Sequence, residues 1–195
     1  MGLPERIETA RLVLRRPLAG DADAVFSGWA SDDVATRFMS WPRHLLVDES
    51  RAFLTYSDVE WARWPAGPYL IESRSSGDVI GSCGFTFRDS GLAEVGYILA
   101  RHAWGLGYAT ESLAAQIDIA ASLGPLMLGA SVHPGNHASS RVLEKCSFER
   151  DRSSCATAPF PNLAESGEVV AVRWVRVLGA PAAAQQRHPA DSSPV

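Results

Sequence analysis

Glu94-Val-Gly-Tyr-Ile-Leu-Ala-Arg-His-Ala-Trp104-Gly-Leu-Gly-Tyr-Ala-Thr110-Glu-Ser-Leu113 opens the stretch, running on to residue 123, that decides the fold of this chain. Residues 94–99 are short, apolar and partly β-branched, and Ser90-Gly91 ahead of them is a turn signal, so a strand is expected. Gly105 and Gly107 bracket Leu106. From Tyr108 the apolar spacing becomes helical, with Leu113, Ile117, Ala120 and Ala121 on one face. A loop that opens directly into a helix leaves backbone N–H groups unpaired at the positive end of the helix dipole, a ready site for phosphate. Glycines let the backbone approach an anion with no Cβ in the way.

A Gly-x-Gly alone is equally the mark of a tight turn. Two specific phosphate motifs are excluded. No Gly-Lys-Ser or Gly-Lys-Thr follows, so this is not a triphosphate P-loop. A dinucleotide fingerprint needs a glycine where Thr110 stands and an acidic residue about twenty positions on, and residues 126–131 hold none.

Length and composition narrow the class. The chain has 195 residues, enough for one domain with a sizeable core. A net charge of −4 with scattered Lys and Arg gives no footprint for nucleic acid. No apolar run approaches membrane-spanning length and the N-terminus lacks a signal-peptide core, so no membrane partner and a cytoplasmic location are expected. Cys83, Cys146 and Cys155 are odd in number and lack C-x-x-C spacing. They read as free thiols, buried and inert rather than reactive. No His, Cys and carboxylate set stands at ligand spacing, so no metal is expected.

The remaining elements follow from pattern. Residues 8–16 alternate Leu12 and Leu14 with Arg11 and Arg15 and read as a first strand ended by Pro17. Asp21 or Asp23 caps a helix over 22–31, with Val25, Phe26 and Trp29 on one face. Phe38, Trp41 and His44 fall in a loop that is either a hydrophobic plug or the aromatic wall of a binding pocket. A second helix spans 49–64. Residues 69–73 and 79–87 form a hairpin about Arg74-Ser-Ser-Gly-Asp78. A buried strand follows at 126–132, then a His133-Pro-Gly-Asn136 turn and a helix over 137–145 with Asn136 as N-cap. Residues 148–157 and 169–178 close the fold as an antiparallel pair. From Gly179 the composition loses apolar periodicity, so residues 1–178 are read as one domain and 179–195 as a flexible tail. The order β-α-α-β-β-β-α-β-α-β-β is a mixed α/β pattern, mostly antiparallel, with one β-α-β unit at its centre.

Four ordered motifs now coincide: Glu94-Val-Gly-Tyr-Ile-Leu99, Trp104-Gly-Leu-Gly-Tyr-Ala-Thr-Glu111, Val132-His-Pro-Gly-Asn-His-Ala-Ser139 and Arg141-Val-Leu-Glu-Lys-Cys-Ser-Phe148. Together they resemble the GNAT superfamily of acetyltransferases. The opening Glu8-Thr-Ala-Arg-Leu-Val-Leu-Arg15 and the 38–44 loop are similar to its Rim-type branch, which acetylates ribosomal-protein N-termini. The resemblance covers residues 7–178. It implies a mostly antiparallel twisted sheet of about six to seven strands flanked by about four helices. It implies acetyl-coenzyme A as co-substrate and direct transfer to a primary amine, either a protein N-terminal α-amine or a small molecule such as an antibiotic or polyamine. A non-catalytic acyl-coenzyme A binding module is the alternative of another class. Oligomeric state is left open, a homodimer included.

Carried over by position, the pyrophosphate donors are the amides of Gly105, Leu106, Gly107, Tyr108, Ala109 and Thr110. The pantetheine arm lies between residues 97–99 and 128–131 like an added strand, and Asn136 contacts it or only caps its helix. Glu94 is the candidate base or amine anchor. Backbone N–H groups near Ile98 or Leu99 serve the carbonyl oxygen. Many family members place a tyrosine acid where Leu143 stands, so Ser139 is the candidate substitute. His102 replaces a frequent Gln or Arg, for which Arg101 compensates by meeting a phosphate. Ser147 replaces the glycine that usually ends the last helix. His133 reads as structural, and Phe38, Trp41 and His44 as acceptor-binding.

Overall fold

Leu12 and Leu14 do sit in a strand, but that strand is the second arm of a hairpin. β1 (Arg6–Glu8) pairs antiparallel with β2 (Leu12–Arg15), so residues 8–16 hold a turn as well as a strand. The turn carries no Gly, Pro or Asn; Thr9 closes it, its Oγ1 accepting from Leu12 N–H at 2.9 Å. The computed structural model describes residues 2–89, 91–124, 126–153, 156–163 and 168–179. Ser90, Cys155 and all of the proposed 179–195 tail but Gly179 lie outside the described residues.

The helix expected over 22–31 is shorter and irregular. A 3₁₀ turn (Ala19–Asp21) leads into α1 (Ala22–Val25), and a π turn (Phe26–Ala30) follows. Ser31 N–H reaches back five residues to Phe26 O at 3.1 Å, widening the turn. Trp29 is buried there, edge-on to both Trp41 and Phe53. α2 (Val47–Arg63) begins where Glu49 turns its carboxylate back to accept from Leu46 N–H at 2.9 Å.

β3 (Tyr69–Ser73) and β4 (Val79–Asp89) form the expected hairpin, and β5 (Leu92–Leu99) continues it. α3 (Tyr108–Ala120) then crosses to β6 (Leu126–Val132), parallel to β5. α4 (His137–Lys145) follows with Asn136 as its N-cap, the side chain accepting from Ser139 N–H at 3.1 Å. Residues 148–157 are not one strand. β7 (Glu149–Arg150) and β8 (Ala156–Pro159) pair separately with β9 (Glu168–Leu178). Between them the Asp151 carboxylate accepts from Ser153 N–H at 2.8 Å, an Asx turn that takes the chain out of the ladder.

The strand order is β1-β2-β3-β4-β5-β6-β9-β7, with β8 also on β9. The strands beyond the expected number are the short ones, β1, β7 and β8. Alternation divides the core between the two sheet faces. Leu12, Leu14, Tyr69, Leu99 and Leu128 meet Leu113, Ile117 and Leu143 of α3 and α4. Leu70 and Ile98 meet Val25, Trp29 and Leu54 of the other layer.

Candidate active site

The sheet comes apart in its middle. β5 pairs with β6 at Leu92–Met127, Ala93–Leu128 and Glu94–Gly129, and the pairing ends there. β5 stays bound to β4 as far as Leu99, and β6 to β9 as far as Val132. Each strand therefore turns a free edge into the gap between them. The split begins later on β6 than expected, since Leu128 and Gly129 are still paired. Ala100 N–H donates to Ile80 O at 2.9 Å, and ladder alternation then directs Ile98 N–H to β4 and Leu99 N–H into the gap.

The glycine loop lies at the end of β5. Gly105 (φ 74°) and Gly107 (φ 82°) are both left-handed, a backbone that side-chain-bearing residues rarely adopt. Gly107 is the N-cap of α3 and has no side chain to satisfy the first turn. The helix's first bond runs from Glu111 N–H to Gly107 O at 3.0 Å, so the amides of Tyr108, Ala109 and Thr110 remain unpaired at the dipole's positive end. Trp104 donates its Nε1–H to Leu99 O at 2.8 Å, fixing the loop to the strand edge.

On the α1–α2 face, the Glu94 Oε2 atom accepts from Arg173 Nη1 at 2.6 Å. On the opposite face, Tyr97 reaches across the gap to α4, its hydroxyl 2.9 Å from Ser139 Oγ and 3.2 Å from Ser139 O. Burial pushes the Tyr97 phenol well above its ordinary value, against the hydrogen bond from Ser139, so it stays protonated near neutrality. A carboxylate thus flanks the gap on one side and a pair of hydroxyls on the other.

Residues 11–149 match the family model described as the acetyltransferase (GNAT) domain. The chain belongs to the GNAT acetyltransferases. These enzymes take their acetyl group from acetyl-coenzyme A. The N-acetyltransferase p20 of Bacillus licheniformis, itself uncharacterized, is 33% identical over 150 residues, 75% of this chain and 84% of p20. The ribosomal L7/L12 α-N-protein acetyltransferase RimL, solved with coenzyme A, superposes with a TM-score of 0.77 at 22% identity, covering 91% of this chain and 100% of RimL. The microcin C7 self-immunity acetyltransferase MccE, solved with acetyl-coenzyme A and AMP, gives 0.76 at 17% identity, covering 89% and 97%.

In this acetyltransferase several candidate residues have other commitments. Arg101 donates its Nε–H to Asp32 at 2.7 Å, with its side chain still exposed. His133 stacks on Phe38 with centroids 4.9 Å apart and meets Phe160 edge-on, while its Nδ1 accepts from Gly135 N–H at 3.0 Å. That bond places the ring proton on Nε2, in keeping with a structural role. His44 shares a 2.8 Å hydrogen bond with Ser50 Oγ and lies 5.2 Å from Trp41, centroid to centroid. Burial lowers its pKa, with Glu49 opposing. Leu143 is fully buried core. Cys83 and Cys146 are buried, and burial raises both thiols, with Arg176 opposing at Cys146. Among the described residues no His, Cys, Asp and Glu gather into a metal-binding group, and no helix is long and apolar enough to cross a membrane.

Three contributions escape sequence reasoning. Arg11, from the β1–β2 turn, donates its Nη1–H to Leu106 O at 2.8 Å and lies 4.7 Å over the Tyr108 ring. Asn162 staples the 36–43 loop, donating Nδ2–H to Thr36 O and Trp41 O at 2.8 and 2.9 Å and accepting from Arg43 N–H at 2.8 Å. Tyr97 supplies a hydroxyl beside Ser139. The only sequence signal is that Arg11 and Tyr97 fall within motifs that resemble the family; nothing local marks Asn162.

Proposed function

We propose that the chain transfers the acetyl group of acetyl-coenzyme A directly to a primary amine, with a protein N-terminal α-amine as the leading acceptor. The observation that carries this is the split between β5 and β6, with a glycine loop of unpaired amides at its end and Glu94 at its start. The amides of residues 105–110 hold the pyrophosphate, and the pantetheine arm pairs with the free strand edges. Asn136, the N-cap of α4, contacts the pantetheine arm in this reading.

Each step has a group to carry it. Glu94 receives the ammonium and takes its proton, directly or through water. The neutral nitrogen attacks the thioester carbonyl, and Leu99 N–H meets the oxygen as it gains charge. The C–S bond breaks as the C–N bond completes. The thiolate takes a proton from Ser139, which recovers one from Tyr97; the second proton of the nitrogen passes to solvent, and solvent reprotonates Tyr97 as Glu94 releases its own proton. The Tyr97–Ser139 hydrogen bond supports the enzymatic reading over a non-catalytic module, because it offers a hydroxyl acid where position 143 lacks a tyrosine.

Support for a polypeptide acceptor comes from the RimL likeness and from the half-buried aromatic 38–44 loop that carries Phe38, Trp41 and His44. The MccE likeness favours a small-molecule amine as the second reading. Thiol release from acetyl-coenzyme A, measured with a serine-initiated peptide, spermidine and an aminoglycoside, separates them. Peptide turnover is expected to exceed the others. If coenzyme A protects the fold thermally while no amine turns over, the enzymatic reading fails.

A further inference from the structure

Glu94, Gly129 and Arg173 lie on three adjacent strands. In register, Glu94 faces Gly129 and Ser131 faces Arg173. The Arg173 side chain must therefore cross β6 diagonally to reach β5. It does so over Gly129, where a Cβ would stand 2.1 Å from Nη2 and 2.6 Å from Cζ. Any other residue at 129 closes that path. Nη1 ends 2.6 Å from Glu94 Oε2, with Ser131 Oγ at 3.4 Å. The two side chains are only 13% and 23% exposed. An ion pair so shielded is held in one geometry, unlike a solvated surface pair. Only Oε2 is engaged; Oε1 has no hydrogen-bond partner among the described residues. Glu94 also occupies the last paired position before the strands part.

We propose that Arg173 is a positioning residue for acetyl transfer. By binding Oε2 it fixes the Glu94 side chain so that Oε1 is presented to the acceptor amine at the mouth of the split, and Gly129 keeps the crossing open. This rests on the reading of Glu94 as the group that receives the amine. Arg173 itself touches neither substrate.

The test uses the full chain, acetyl-coenzyme A and a serine-initiated peptide. Arg173→Gln is expected to lower kcat/KM for the peptide about tenfold while the coenzyme KM holds. Gly129→Ala is expected to do the same, because its methyl group displaces the guanidinium. The double variant is expected to be no worse than Arg173→Gln alone, since the methyl then has nothing left to displace. Additive losses, or a melting shift with kcat/KM intact, overturn the proposal. A silent Glu94→Gln instead overturns the underlying reading of Glu94; a damaging Glu94→Gln with a silent Arg173→Gln overturns the positioning role alone. A crystal structure of the Arg173→Gln chain needs no turnover. There Glu94 is expected to leave its cleft-facing position, and an unmoved carboxylate refutes the proposal.

Discussion

Arg11 Nη1 donates to the Leu106 carbonyl at 2.8 Å, joining the first hairpin turn to the middle of the glycine loop across 95 positions of sequence. The same guanidinium binds Glu111 Oε2 through Nε at 2.7 Å. Glu111 Oε1 in turn accepts from Thr9 Oγ1 at 2.6 Å and from Arg11 N–H at 2.9 Å. A loop whose carbonyl is tied back on one side offers its amides on the other. The hairpin thus braces the loop proposed to hold the pyrophosphate.

Truncation of Arg11 to alanine removes that tie and leaves the loop's own residues untouched. The coenzyme must then order the loop on binding, so its KM is expected to rise about fivefold, with kcat at saturation changed less than about twofold. Titration of acetyl-coenzyme A at fixed amine measures both. An unchanged KM would mean the two left-handed glycines hold the loop unaided.

Glu111 adds a pH signature. Burial alone raises its carboxyl, but hydrogen bonds from Thr9, from the Arg11 amide and from the Arg11 side chain outweigh it and hold the pKa below its ordinary 4.5. A folded pKa below the unfolded one gives stability that is complete above the unfolded value and is lost as pH falls through the folded value. The melting-temperature gap between wild type and Glu111→Gln is therefore expected to be constant near neutrality and to close below about pH 4. A gap that persists unchanged to about pH 3 would show that the carboxylate's charge is not what braces the loop.

The elements legible in the sequence are those with a local signal. β6 is a continuous apolar run between Gly-Pro and His-Pro-Gly-Asn, and α4 has an Asn at its N-cap, so the pattern alone gives the observed bounds of both. The β1–β2 turn carries no such signal, because Thr9 closes it with a side-chain hydrogen bond instead of a glycine. The glycine loop was legible for the same local reason as α4. Its brace was not, although Arg11 and Glu111 both stand in family-like motifs, because no spacing rule links positions 100 apart. The α4 position where the family places its tyrosine is Leu143, and the tyrosine hydroxyl that reaches Ser139 comes instead from Tyr97 on β5, which no α4 motif signals. The Arg173 crossing depends on a three-strand register, which no single strand's pattern reveals.

Ser147 ends α4 with φ 58°, alone in the left-handed region among described non-glycine residues. The departure from glycine at this C-cap therefore carries the expected backbone cost. Ser147→Gly is expected to stabilise the fold by about 1 kcal/mol, read as a higher melting temperature with both KM values unchanged. The side chain is exposed and no hydrogen bond of its hydroxyl is seen, so little is lost in exchange. A lower melting temperature would mean that the unfolded chain's added freedom outweighs the relieved strain.

Gly96 lies on the proposed acceptor side of β5. It is exposed on β5 between Glu94 and Ile98, on the Glu94 face, and a Cβ there would meet nothing within 4 Å. Alanine therefore fits without strain, while leucine fills space directly beside Glu94. Gly96→Leu is expected to raise the acceptor KM about tenfold and to leave the coenzyme KM and the melting temperature near wild type. The loss should grow with acceptor size. A serine-initiated peptide that lies along the strand surface loses more than a compact amine that enters end-on. Equal losses for peptide and spermidine would place the acceptor backbone elsewhere than over Gly96. A raised coenzyme KM with the acceptor KM intact would reverse the assignment of the two faces.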